Sequence, residues 1–400
     1  MSKVNINSEV NDLKTVIVHT PGKELENLIP EYLEDLLFDD IPWLNKALKE
    51  HDYFKNVLKE NGVEVVELVD LASQSLYSEE IKREFINCFL NESHIVNIDK
   101  KKIITNYLLE LTTKEMIKKT IEGIKKNDIA SFSKTSLTDH LSSYPFVTNP
   151  MPNLYFARDP FTHVYNHVVI SKMHKEARRR ETLYGHFIYT YHPQYKNTKR
   201  LYNRDDLASI EGGDILVLNK TTVCVGISER TEPQAIEILA KRLFEKTTCN
   251  KVLAIDIPKL REFMHLDTVL TQVDHGKFVV HGDFIKEMDC YIIAKESSSY
   301  TITKEVSTLE RLFTKHLQTK ITMIPCGGND YISAAREQWN DGANTLAIKP
   351  GVVIVYERNV ITNKLLKDQG IKTIQIPASE ISRGRGGPRC MSMPLIRKDA

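Results

Sequence analysis

The segment Ser382-Arg-Gly-Arg-Gly-Gly-Pro-Arg-Cys390 ends on a thiol and carries three arginines and three glycines. Glycine lets the backbone take positive φ and approach a ligand closely. Arg383, Arg385 and Arg389 place positive charge beside the thiol, which favours the thiolate, the nucleophilic form. The same residues also describe a solvated basic loop ending in a core cysteine. The Gly-Lys-Ser/Thr ending of a P-loop is missing, so phosphate cradling has little support.

Three further segments carry chemistry. In His265-Leu266-Asp267, strand geometry would put both polar side chains on one face. A carboxylate there would orient the imidazole and stabilise its charged form. His-x-Asp is also two-thirds of an iron-binding facial triad, for which His275 or His281 would be the second histidine. Glu211-Gly-Gly-Asp214 stands before the apolar run Ile215–Leu218, which points a carboxylate off a tight turn at a strand start. It reads equally as a turn with solvated acids. Met151-Pro-Asn153-Leu-Tyr-Phe156-Ala-Arg158-Asp159-Pro160 gathers an amide, aromatics and an acid between prolines.

Taken together, these segments supply a thiol, an imidazole and several carboxylates, without metal-ligand spacing. Carboxylates bind guanidinium groups bidentately. A thiol and a histidine provide a nucleophile and a general acid/base. A small cationic guanidinium compound suits that set.

Elements must position these residues. No proline lies between Pro42 and Pro145, and only Gly62 and Gly123 are glycines there. Ile81, Phe85 and Phe89 recur at helical spacing, as do Met116, Ile117, Ile121 and Ile124. We therefore expect an inserted helical subdomain over 77–147, with a catalytic unit formed by 1–76 and 148–400. The remainder is α/β. β-Branched runs stand at Val16–Val18, Val168–Ile170, Val223–Val225, Phe278–Val280 and Val352–Val355, several followed by a polar turn and a helical pattern. The stretches starting at Ile170, Val225 and Val355 resemble one another. The first two lie about 55 residues apart, a spacing compatible with an internal repeat.

Composition bounds the class. The chain has 400 residues, 41% apolar and 27% charged, with formal net charge +1. That balance gives no reason to expect nucleic-acid or membrane binding. The N-terminus lacks an apolar signal segment, so we expect a cytoplasmic protein. Six cysteines without a Cys-x-x-Cys motif are expected to be reduced, and most of them, including Cys224, are expected to be core residues.

The segments NLYFARDPF, IEGGDI, MHLDT and GPRCMSMPL, in this order, resemble those of arginine deiminases, in the guanidino-modifying superfamily. The resemblance extends over essentially the whole chain, including Asp35–Asp40 and the helical insertion. It implies an α/β fold, a five-fold pseudosymmetric α/β propeller carrying the inserted helices. It implies hydrolysis of free L-arginine to L-citrulline and ammonia, with no cofactor and no metal, by a homodimer or higher homo-oligomer. By position, it makes Cys390 the nucleophile and His265 the general acid/base. Asp159 and Asp267 would clamp the guanidinium, with Glu211 near His265. Arg178 and Arg230 would hold the substrate α-carboxylate. Asn153, Phe156, Leu37 and Gly384 would line the pocket, and Arg385 would guard it. With acidic residues around it, Cys390 is expected to rest as a thiol. The rival readings are an amidinotransferase or methylarginine hydrolase, a metal enzyme built on His265 and Asp267, and an RNA- or arginine-binding module using the 382–389 loop.

Overall fold

The computed structural model describes residues 3–129, 140, 143–297 and 299–399. Among these residues, five sheets share one connectivity. In each, an antiparallel pair is extended by a third strand that runs parallel to the pair's second strand. A helix precedes that third strand.

In the first sheet the pair joins the two ends of the chain. Met393–Arg397 lies antiparallel to Leu13–Val18, which pairs in parallel with Glu64–Glu67 after the helix Leu44–Glu60. The second holds Phe161–Val164, His167–Ile170 and Lys199–Tyr202 around the helix Thr182–Tyr191. The third holds Ile215–Val217, Thr222–Ile227 and Lys251–Asp256 around Pro233–Lys246, and adds Met288–Lys295 and Tyr300–Ser307 at its edge. The fourth holds Leu270–Asp274, Lys277–Val280 and Thr322–Pro325, with the helix Leu309–Leu317. The fifth holds Leu346–Lys349, Val352–Tyr356 and Lys372–Ile376 around Val360–Asp368.

The five β-branched runs of the sequence are the five middle strands. A middle strand has neighbours on both edges and is covered on both faces, so its residues are apolar without alternation. Val16, Val168, Val223, Phe278 and Val353 are all fully buried. Cys224 belongs to this group and is a core residue. The sheets touch in succession: Met393–Arg397 contacts Phe161–Val164, Lys172 bridges Ile210, and Leu266–Val269 packs on Ile215–Val217. Leu270–Asp274 then contacts Leu346–Lys349, which contacts Leu13–Val18.

Among the described residues, the segment 77–147 holds the helices Glu79–Glu92, Ile98–Glu110 and Thr113–Glu122. Ser78, Asn97 and Thr112 cap their N-termini, Thr112 in a capping box with Glu115. Phe85, Phe89, Met116, Ile117 and Ile121 share one core with Leu183, Phe187 and Ile188 of the second sheet's helix. The rings of Phe85 and Phe187 meet edge to face at 5.2 Å. These helices thus pack directly on the second sheet, which Asp159 precedes. The part of the expected insertion at 130–139 and 141–142 lies outside the described residues.

One local expectation fails. His265-Leu-Asp267 is not a strand: Leu266–Val269 is a single helical turn with His265 as its N-cap residue. The strand starts only at Leu270. Asp214 accepts the Leu266 N–H at 2.8 Å and sets that turn.

Candidate active site

The first strand of each sheet is preceded by a short buried segment, and these five segments meet. They supply Asp159 before Phe161, Glu211 before Ile215, His265 and Asp267 before Leu270, Asn344 before Leu346, and Cys390 before Met393. Segments that follow two of the middle strands add Arg178, in the helical turn Glu176–Arg179, and Arg230.

Leu37, Asn153, Phe156, Asp159, Arg178, Arg230, His265, Gly384, Arg385 and Cys390 line one narrow cavity of about 390 Å³, mouth included. Met264 and Thr268 complete its wall. Glu211 and Asp267 are fully buried beside it, against His265 and Cys390. A wider cleft lies between the helical insertion and the first sheet, lined by His19, Glu67 and Lys114, but it holds no cysteine.

Each of two carboxylates has one oxygen tied by a hydrogen bond and one that accepts none. Asp159 Oδ2 accepts from Arg178 Nη1 at 2.7 Å, and Asp267 Oδ2 accepts from Arg389 Nη1 at 2.8 Å. Their Oδ1 atoms are buried and make no hydrogen bond. An orphaned buried carboxylate oxygen is costly, and a cationic ligand relieves that cost.

His265 Nε2 lies 2.8 Å from Glu211 Oε2, and Nδ1 lies 3.6 Å from Asp159 Oδ1. Burial disfavours the imidazolium, but Asp159 and Glu211 outweigh it and raise the pKa to about 9. Glu211 feels the converse: burial pushes it up, but the His265 hydrogen bond and Arg230 hold it down at about 2. His265 is therefore charged at neutral pH. Gly213 lets the pair approach Asp159, since a Cβ there would stand 2.8 Å from both Asp159 Oδ1 and the His265 ring.

The Cys390 sulfur is buried and lies 3.6 Å from Asp267 Oδ2. Burial, then Asp267, Asp159 and Asp341, push its pKa well above the ordinary thiol value. The expected resting thiol agrees with these surroundings. Arg389 does not supply the positive field expected from the sequence. Its guanidinium is buried and neutralised by Glu9 at 3.1 Å and Asp267 at 2.8 Å.

Arg178 is also committed internally. Besides Asp159 it binds Glu181 through Nε at 3.0 Å and Nη2 at 2.8 Å. Arg230 is freer: its Nε has no partner and its Nη2 points at Met264 Sδ, 3.9 Å away. The Arg385 guanidinium stacks 3.6 Å above the Trp339 ring, with Nε and Nη1 unpaired. Arg385 and Leu37 both hold positive φ, at 62° and 57°. That backbone is uncommon for such side chains and often marks functional sites. Asn153 donates to the Leu36 carbonyl at 2.7 Å, which fixes the Leu37 turn over the cavity.

Sequence reasoning missed Asn344, Met264, Thr268, Glu181 and Glu9. Asn344 had a readable signal, for it occupies the same place before a first strand as the four segments that were singled out. As for a metal triad, His281 packs between Phe263 and Phe284, and His275 sits exposed in a hairpin turn. Among the described residues, no group of three or more His, Cys, Asp or Glu side chains is placed to hold a metal ion. None of their helices is long and apolar enough to cross a membrane.

Solved structures show where this fold recurs. An amidinotransferase from Microseira wollei superposes with TM-score 0.58 at 16% identity, over 100% of this chain and 98% of that one. A DDAH from Pseudomonas aeruginosa, solved with citrulline, gives 0.54 at 16% identity, over 96% and 99%. Closer relatives match by sequence. Arginine deiminases of Bacillus cytotoxicus and of Streptococcus agalactiae serotype V are each 47% identical to this chain. The first match covers 99% of both chains, and the second covers 99% of this chain and 98% of its relative. That of Clostridium perfringens is 46% identical over 99% of this chain and 98% of its own. The family model described as arginine deiminase matches residues 34–397, a span that contains every cavity-lining side chain described above. The chain belongs to the arginine deiminase family.

Proposed function

We propose that the chain hydrolyses free L-arginine to L-citrulline and ammonia through a covalent intermediate on Cys390. The observation that carries this reading is the pair of buried carboxylate oxygens that accept no hydrogen bond, Asp159 Oδ1 and Asp267 Oδ1, beside a thiol and a charged imidazole. A guanidinium offers planar N–H donors to both carboxylates and presents its carbon to the sulfur.

As the cation binds, its charge favours the thiolate, and the thiol proton leaves to solvent. The sulfur attacks the guanidinium carbon and forms a C–S bond. His265, already protonated, gives its proton to one terminal nitrogen, and the C–N bond breaks with release of ammonia. An S-alkylthiouronium remains. Neutral His265 then takes a proton from water, whose oxygen attacks the same carbon. The C–S bond breaks, citrulline forms, and the sulfur recovers a proton. Arg230 receives the substrate α-carboxylate, with Arg178 acting mainly to hold Asp159 and Glu181. Anchoring the distant end makes the attack effectively intramolecular. Asn153, Phe156, Leu37 and Gly384 shape the passage, and Arg385 leaves its place over Trp339 to admit or retain the ligand.

The order of the five sheets, each touching the next and the last touching the first, supports a closed five-fold propeller, with the 77–147 insertion packed on the second sheet. A homodimer or higher homo-oligomer in the cytoplasm is part of the same proposal, and light scattering tests the assembly. The function itself is tested by incubating the purified protein with L-arginine. Citrulline and ammonia in equal amounts support the reading. Ornithine, or turnover only of N-methylated arginine, contradicts it.

A further inference from the structure

We infer that Asn344 is the positioning residue of the nucleophile: its carboxamide fixes Cys390 and donates the hydrogen bond that lets the sulfur ionise when substrate arrives. The inference rests on the reading of Cys390 as nucleophile. Asn344 is fully buried in the loop before Leu346–Lys349. Its Nδ2 donates to the Cys390 sulfur at 3.1 Å and to the Asp267 carbonyl at 2.9 Å. Its Oδ1 accepts the backbone N–H groups of Arg389 and Cys390, both at 3.1 Å.

Those four contacts use two donors and two acceptor positions, the whole capacity of a carboxamide. They also fix its orientation, because only the oxygen can face two N–H groups. The nitrogen is then left to the sulfur. The loop can come this close because residue 387 is glycine. A Cβ there would stand 2.7 Å from Asn344 Cβ and Oδ1.

The surroundings explain why a donor is needed. Burial and the carboxylates of Asp267, Asp159 and Asp341 all oppose a negative sulfur. Arg389, the nearest cation in sequence, is occupied by Asp267 and Glu9. A donor gains strength as its acceptor becomes charged, so an N–H aimed at sulfur favours the thiolate over the thiol. Asn344 does this without a charge of its own, and it leaves both orphaned carboxylate oxygens available to the substrate.

The test compares wild type, Asn344→Ala and Asn344→Asp. Iodoacetamide alkylation of Cys390 is followed from neutral to strongly alkaline pH, with the labelled peptide identified by mass spectrometry. Asn344→Asp keeps an oxygen to accept the two backbone N–H groups and removes the donor once ionised, so it holds the loop if the alanine variant fails to fold. Both variants should shift the alkylation profile upward by about one pH unit or more. Their kcat should fall about tenfold or more while KM changes little. A folded Asn344→Asp variant with the wild-type alkylation profile overturns the inference, whatever its kcat. Failure of the underlying reading looks different: wild-type enzyme fully alkylated at Cys390 would still make citrulline.

Discussion

Arg389 Nη1 donates to Asp267 Oδ2 at 2.8 Å, and that same oxygen lies 3.6 Å from the sulfur of the next residue in the chain, Cys390. The residue next to Cys390 therefore holds the carboxylate beside its sulfur. The far side of the guanidinium binds Glu9 and the Ile215 carbonyl. One side chain thus joins the N-terminal segment, the third sheet and the site.

Replacing Arg389 by methionine leaves Glu9 and Asp267 buried without their cation. Breaking a buried pair by removing one partner costs about 3–5 kcal/mol. Urea unfolding should register a loss of that size. A change below about 1 kcal/mol, typical of an exposed pair, would mean that the guanidinium does not carry this junction.

The His265–Glu211 pair sets a pH dependence. The folded-state pKa of His265, about 9, lies above its ordinary 6.5. Its contribution to stability is therefore fully present below pH 6.5 and is lost as pH rises through about 9. Activity should follow the same limb, because the departing amine needs the imidazolium proton. The kcat profile should fall above about pH 9, and Glu211→Gln should move that limb toward neutrality. A basic limb that stays in place in Glu211→Gln would remove His265 from this role.

Gly213 packs under both Asp159 and His265. A methyl group there would displace Asp159 or His265 by a fraction of an ångström or more, given the 2.8 Å approach. Misplacement on that scale costs about 100-fold in rate. Gly213→Ala should therefore lose about two orders of magnitude in kcat while its thermal transition stays cooperative. Near-wild-type kcat would show that the pair tolerates the displacement.

The sequence made much of this legible because its signals were local. The middle strands announced themselves as β-branched runs, since burial on both faces demands apolar residues throughout. The helices at Glu79–Glu92 and Thr113–Glu122 kept their 3.6-residue period because only one face is buried. The site was legible as four motifs, each just before a first strand. What stayed hidden depends on distant packing. Arg389 reads as a loop cation, but Glu9, 380 positions earlier, and Asp267 hold it inward. His265 and Asp267 read as alternating strand residues, but Asp214 binds the Leu266 N–H and curls them into a helical turn. Asn344 stands in Gly-Ala-Asn-Thr, where only its place before a first strand marks it, and the fifth sheet sets it against the thiol.

The stacking of Arg385 on Trp339 offers an optical readout. Trp43 is the second tryptophan of the chain, and Trp43→Phe isolates the signal. Citrulline added to that variant should change the Trp339 emission as Arg385 leaves the ring. The change should be absent in the double variant that also carries Arg385→Ala. An equal change in both variants would separate the stack from ligand binding.

The central claim is covalent attack by Cys390, and acid quenching during turnover followed by intact-mass and peptide analysis tests it most directly. Wild type should show a species heavier by arginine less ammonia, with the added mass on the peptide containing Cys390. Cys390→Ala should show no such species and form no citrulline. An adduct mapped elsewhere, or citrulline made by Cys390→Ala, would contradict the account.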